Sequence, residues 1–208
     1  MNIYRILDIP FVYRLSQFVL APAKPLFMKK IWESAFDVSL SPVLDVGCGP
    51  SLIGPRPSGK LYGVDINSRY LESYLRESFS TKNKNNQETI VKEGSSICLP
   101  FDDGFFLEVR ANGFLHHLTD KDVSLTDKEM YRCLAPGGQL VILEDVWPES
   151  IYKRPLAWLI RKFDQGQFMR TEEQLVTLFS NAIGEPAIIQ RHTYTLIGTE
   201  LCFLKWMK

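Results

Sequence analysis

The sequence predicts an α/β domain built on a mostly parallel sheet, with helices on both faces and an antiparallel strand pair at its C-terminal edge. Three observations predict it. From Val43 to Glu144, short aliphatic runs alternate with stretches at helical spacing, the pattern of parallel strands joined by crossovers. The chain then offers two strand-like runs in succession, Ala187–Leu196 and Leu201–Met207, around a turn at Gly198. With 208 residues, 45% of them apolar, it has the length and composition for one such core.

Residues 1–36 are rich in aromatic and aliphatic side chains. Phe11, Leu15, Phe18 and Val19 fall at helical spacing behind Pro10, and Pro22 and Pro25 separate them from a second helical run over about Leu26–Phe36. The first strand, from Val43, ends in Asp45-Val-Gly-Cys-Gly49, whose two glycines allow φ > 0 and close approach of a ligand to the backbone. Leu61–Asp65 is the second strand. Gly54, Pro55, Pro57 and Gly59 leave room for at most one helical turn between the two. The first crossover is therefore mostly loop, and the sheet face above it needs another cover. The N-terminal segment is the candidate.

The alternation then continues. Asn67 or Ser68 caps a helix to about Phe79, with Tyr70, Leu71, Tyr74, Leu75 and Phe79 on one side. A polar loop over Thr81–Glu88 leads to a third strand, Thr89–Glu93. Phe106–Asn112 is the fourth, made unusually polar by Glu108 and Arg110. A helix over about Thr126–Leu134, with an earlier turn from Thr119, precedes the fifth strand, Leu140–Glu144, entered through Pro136-Gly-Gly138. Thr171-Glu-Glu-Gln174 opens a helix to about Ala182 with the residues of a capping box. In such sheets ligands bind beyond the carboxyl ends of the strands, where strand order reverses. Asp45, Asp65, Ser95, Asn112 and Glu144 fall at those ends, which predicts a single pocket.

Strand, glycine turn, strand, acid is a layout that sets a ribose diol on the acid and the rest of a nucleoside over the glycines. The dinucleotide fingerprint needs a third glycine where Leu52 stands, and no Gly-Lys-Ser/Thr phosphate loop is present. A net charge of zero, from 24 basic and 24 acidic residues, argues against a nucleic-acid partner. Cys48, Cys98, Cys133 and Cys202 show no Cys-x-x-Cys spacing, so neither a metal site nor a disulfide framework is expected, and reduced thiols suit the cytoplasm. No signal peptide is expected, because Arg5 and Asp8 interrupt the first apolar run, and no stretch is apolar enough to span a membrane.

Asp45-x-Gly-x-Gly49 resembles the first motif of the class I S-adenosylmethionine-dependent methyltransferases, of the methyltransferase type 11 kind. Gly63-Val-Asp-Ile-Asn67 resembles the second motif, Leu99-Pro-Phe101 the end of the third, Leu115-His-His-Leu118 the fourth and Leu134–Ile142 the fifth. They stand in the family's order over about Val43–Glu144. The resemblance implies a Rossmann-like, seven-stranded sheet in which the family's usual first crossover helix is shortened. It implies one domain over 1–208: an N-terminal helical cap over 1–36, a cofactor-binding core over 43–145, a helical insertion at the acceptor site over 146–170, and a C-terminal helix and strand pair over 171–208. The implied cofactor is S-adenosyl-L-methionine, and the implied activity is methyl transfer to a small-molecule acceptor. The aromatic-rich ends suggest that the acceptor is partly apolar. A non-catalytic cofactor-binding protein that regulates a partner is the alternative.

On that reading Gly47 and Gly49 give close backbone approach, Asp45 serves the methionine end and Asp65 the ribose hydroxyls. Ile66 and Ile97 cover the adenine faces. Ser95, with Ser96 beside it, stands where the family commonly has an Asp that accepts from the adenine amino group. Asn112 and Gly113 lie by the sulfonium and its methionine tail. His116 and His117 are candidate bases for an acceptor that must lose a proton, although histidines there also serve to hold the loop. Arg154, Arg161 and Arg170 are candidate contacts for an anionic acceptor. The N-terminal segment is either a lid or packing on the sheet edge, and Lys24, Lys29 and Lys30 beside its apolar face also permit interfacial membrane contact.

Overall fold

The computed structural model describes residues 24–80, 88–162 and 167–208. The helix expected at Phe11–Val19 and most of the polar loop before the third strand lie outside them. Helix α1 (Lys24–Ala35) precedes strand β1 (Val43–Val46). Strand β2 (Lys60–Asp65), helix α2 (Ser68–Ser80) and strand β3 (Glu88–Glu93) follow. After strand β4 (Phe106–Asn112) comes a single 3-10 turn (Leu115–His117), then helix α3 (Asp120–Cys133) and strand β5 (Leu134–Val146). Helices α4 (Pro155–Lys162) and α5 (Glu172–Ile183) lead to strands β6 (Ile188–Thr193) and β7 (Glu200–Met207).

The described strands form one seven-stranded sheet in the order β3-β2-β1-β4-β5-β7-β6. β1 to β5 run parallel, and β7 lies antiparallel between β5 and β6. Because β1 pairs with both β2 and β4, the strand order reverses there, and the carboxyl ends of β1 and β4 open a crevice.

Alternation along the strands builds a core on each face. Leu44, Val46, Val109, Ala111, Leu140 and Ile142 face α3 and α5 and meet Val123, Met130, Leu175 and Phe179. On the other face α1 sets Met28 and Ile31 against Val141, Leu143 and Phe203, while α2 sets Leu71 and Tyr74 against Val43 and Leu61.

Among the described residues no helix covers the sheet between α1 and α2, since residues 50–59 form only turns and loop, as the prolines and glycines there require. In that gap the sheet is charged. The buried Arg110 guanidinium lies 3.6 Å from Asp45 Oδ2 and 3.8 Å from Glu108 Oε1, and it donates to the Pro55 carbonyl at 3.1 Å. Tyr74 donates to Asp45 at 2.9 Å and Gln139 to Glu108 at 2.5 Å. The Phe36 ring closes the gap, 4.9 Å from the guanidinium. The N-terminal segment thus supplies part of the cover through Phe36, while α1 itself packs over β5 and β7. The polar residues that made β4 unusual are the ones that fill the place of the missing helix.

Three expectations need correction. Phe79 is 74% exposed rather than packed; α2 buries Leu71, Tyr74 and Ser78, and Phe79 is turned about 100° from that stripe. α3 starts at Asp120, not Thr126, because Thr119 Oγ1 accepts from the Asp122 N–H and caps it. β5 begins at Leu134, directly after α3, and absorbs Pro136–Gly138 beside a register irregularity in its pairing with β4.

Candidate active site

The carboxyl ends of β1, β2 and β3 and the loop after β4 enclose a cleft of about 210 Å³. Gly47 comes from the turn after β1, and Val64, Asp65 and Ile66 from the end of β2. Gly94–Ile97 form the wall after β3, and Phe114, Leu118 and Asp122 the wall opposite the sheet edge.

Both glycines of the β1 turn have positive φ, 62° at Gly47 and 61° at Gly49, yet they are needed for different reasons. A Cβ at Gly47 would fall 2.3 Å from the Phe114 ring, whereas one at Gly49 would meet nothing within 4 Å. Gly47 therefore admits a side chain of its own protein, and Gly49 faces open space. The turn is locked to β2: the Gly49 N–H donates to Asp65 Oδ2 at 3.0 Å, the Asn67 N–H to Oδ1 at 2.9 Å, and the Cys48 N–H to the Val64 carbonyl at 3.1 Å. Burial raises the Asp65 pKa, opposed by the backbone N–H groups of Asn67, Gly49 and Ile66.

Across the cleft, the turn after β3 closes when the Cys98 N–H donates to the Ser95 carbonyl at 3.2 Å. Ser96 and Thr126 share a buried hydroxyl–hydroxyl bond of 2.8 Å that ties this turn to α3. Ile66 and Ile97, both exposed, line the cleft, and exposed branched residues at a pocket suit a flat apolar ligand face.

The loop after β4 is organised by Glu144. Its Oε2 accepts from the N–H groups of Phe114 at 3.1 Å and Leu115 at 2.7 Å, and its Oε1 pairs with His116 Nδ1 at 2.5 Å. Arg170 grips the same loop from outside, donating to the carbonyls of Leu115 and Leu118 and to Asp120. His116 is buried in this network, and the His117 ring lies tilted against it at 47°, with centroids 4.2 Å apart; neither lines the cleft.

Asp45 and Asn112 sit beneath the glycine turn rather than in the cleft wall. Asp45 is buried with Arg110 and Tyr74, and burial raises its pKa against the pull of Arg110. The Asn112 amide is buried, with neither its nitrogen nor its oxygen in a hydrogen bond of good geometry. The amide also helps to hold down the pKa of the neighbouring Asp45. Gly113, at φ 56°, starts the loop next to it, and its N–H donates to the Leu143 carbonyl.

Phe114, Leu118, Asp122 and Gly94 line the cleft without having been singled out as site residues. Asp122 was hidden because the sequence pattern starts α3 a turn and a half late. Phe114 follows β4 with no motif of its own, and its contact with Gly47 is long-range. The arginines considered for an anionic acceptor are engaged internally: Arg154 with Glu200, Arg161 with Asp145, and Arg170 with Asp120.

The strand order, the antiparallel β7 and the glycine-turn cleft at the switch point define the Rossmann-like fold of the class I S-adenosylmethionine-dependent methyltransferases. A methyltransferase from Methanosarcina mazei superposes with a TM-score of 0.65 at 20% identity, covering 86% of this chain and 96% of that one. The [4+2]-cyclase SpnF also superposes at 0.65, with 16% identity, covering 87% and 79%. Geranyl diphosphate C-methyltransferase from Streptomyces coelicolor, solved with S-adenosyl-L-homocysteine, superposes at 0.63 with 14% identity, covering 86% and 76%. At such identities the likeness is one of fold. Residues 44–142, just under half of the chain, match the family model described as "Methyltransferase domain". A demethylmenaquinone methyltransferase from Staphylococcus carnosus is 33% identical over 132 residues, covering 57% of this chain and 51% of the relative. The chain spans about half the length of the curated relatives it matches at this level, 48% of the Anoxybacillus flavithermus one.

Proposed function

We propose that the chain transfers a methyl group from S-adenosyl-L-methionine to a partly apolar small-molecule acceptor. The observation that carries this reading is the cleft itself, where Gly47 of the glycine turn, the Asp65 carboxylate and two exposed isoleucines meet at the strand-order switch point. The cofactor supplies an electrophilic methyl on a sulfonium, and the chain supplies binding, alignment and exclusion of water. Asp65 would accept from a vicinal diol. Ile66 and Ile97 would cover a purine, with Ser95 and Ser96 at its edge. The Asn112 amide, Gly47 and Gly113 would serve the amino-acid end, with Asp45 behind them. Where the acceptor must lose a proton, His116, oriented through Nδ1 by Glu144, and His117 beside it are the candidate bases. An acceptor of the demethylmenaquinone kind is the finer reading, supported by the names of relatives at up to 33% identity. A cytoplasmic setting belongs to the same proposal and is supported by four free cysteines, three of them buried.

Titration calorimetry with S-adenosyl-L-homocysteine is the test. Binding should be saturable in the native chain and weakened at least about tenfold by Asp65→Ala, which removes a charge-assisted contact. No heat in the native chain would end the proposal. The shortened first crossover and the uncharged Ser95 favour a second reading, in which cofactor is bound without turnover. Retained binding with no methyl transfer to demethylmenaquinone or to a broad acceptor panel would select it.

A further inference from the structure

We propose that the rim formed by α4 and the β6–β7 turn docks on an anionic lipid bilayer surface. The proposal rests on the apolar-acceptor reading only in its purpose, which is to bring the cleft to where such an acceptor dissolves.

α4 buries Ala157 and Arg161, one turn apart, and turns the opposite stripe outward. Leu156 is 60% exposed and Leu159 47%, and Tyr152, in the turn leading into the helix, is 94% exposed. The three-residue spacing of Leu156 and Leu159 puts both on one side of the helix, and Tyr152 precedes it in the chain. Arg154 ties this stripe to a second element. Its Nη1 donates to Thr193 Oγ1 at 2.7 Å and to the Gly198 carbonyl at 2.9 Å, so the turn that carries Leu196, 80% exposed, lies alongside.

Position and charge narrow the partner. Val146 at the end of β5 pairs with Glu200 at the start of β7, so both elements sit at the carboxyl edge of the parallel strands, where the cleft opens. In a chain of zero net charge, residues 150–162 hold four basic residues and no acid. Two of the four, Arg154 and Arg161, are paired inside with Glu200 and Asp145. Lys153 and Lys162 remain exposed at the two ends of the apolar stripe. An apolar face with lysines at its ends is the arrangement of a helix lying in the headgroup plane, leucines toward the acyl boundary and ammonium groups at the phosphates.

Vesicle co-sedimentation of the full chain tests the docking, with phosphatidylcholine vesicles compared with vesicles that also contain phosphatidylglycerol. Binding should need the anionic lipid, fall with added salt, and drop about tenfold or more in Leu156→Ser/Leu159→Ser, two partly buried leucines being lost from the interface. Lys153→Gln/Lys162→Gln should weaken binding and flatten its salt dependence. No sedimentation with either vesicle, or binding that the leucine substitutions leave unchanged, would overturn the proposal. So would a concentration-dependent dimer broken by those substitutions without vesicle binding, which would mean that a second copy covers the stripe. S-adenosyl-L-homocysteine affinity, measured on the same samples, keeps the two proposals apart: docking can fail while that affinity persists, and the affinity can be absent while docking persists.

Discussion

Replacing Arg110 by Met tests whether the charged patch on β4 stands in for the missing crossover helix. The substitution keeps most of the side-chain volume and removes the cation. Asp45 and Glu108, both buried, then lose their shared partner, and the Pro55 carbonyl loses its donor. Breaking a buried pair by removing one member costs about 3–5 kcal/mol, a large part of the about 5–15 kcal/mol that holds a domain together. The loss should depend on pH. Burial already raises the pKa of both acids, and Arg110 is the largest opposing influence on each. Without it, both carboxyls in the folded chain hold protons that the unfolded chain has released, so stability falls as pH rises through their folded pKa values. Urea unfolding followed by tryptophan fluorescence should therefore show Arg110→Met far weaker than the native chain near pH 8, with part of the deficit recovered near about pH 5. Arg110→Lys should fall between, because an ammonium can pair with the acids but cannot also reach Pro55 with the same fork. A loss below about 1 kcal/mol, or one that does not shrink on acidification, would refute the role assigned to the patch.

Two further outcomes follow from the site. Gly47→Ala should cost about 2–4 kcal/mol, since the new methyl meets both a positive φ and the Phe114 ring, and Phe114→Ala should return part of that loss in a double-mutant cycle; strict additivity would mean that the two positions do not touch. Asp127, buried on α3 with no hydrogen bond of good geometry to its carboxyl oxygens, has its pKa raised by burial to about 7 against the pull of Lys128. That pKa lies above the unfolded value, so the stability linked to its protonation is present at low pH and lost as pH rises through about 7. Asp127→Asn should stabilise the chain by about 1 kcal/mol or more near pH 8 and little near pH 5, read from melting curves; equal effects at both would mean that the carboxyl titrates normally.

Much of this molecule was legible in the linear order of its residues. The strands ending at Asp65 and Asn112, the glycine turn, the capping box at Thr171 and the absence of a helix over 50–59 all rest on local rules: periodicity, turn chemistry and the bar that Pro and Gly set on helices. Five alternating runs also limited the topology, because parallel strands need crossovers of one hand. What the chain order did not reveal depended on contacts between distant residues. Nothing near Gly47 announces that Phe114 rests on it, and nothing near Glu108 or Arg110 says that their charges face each other under a proline loop rather than solvent. Nothing near His116 announces that Glu144, on another strand, holds its ring. A side chain's chemistry is written at its own position, whereas its partner, and hence its role, is set only when separate strands and loops come into register.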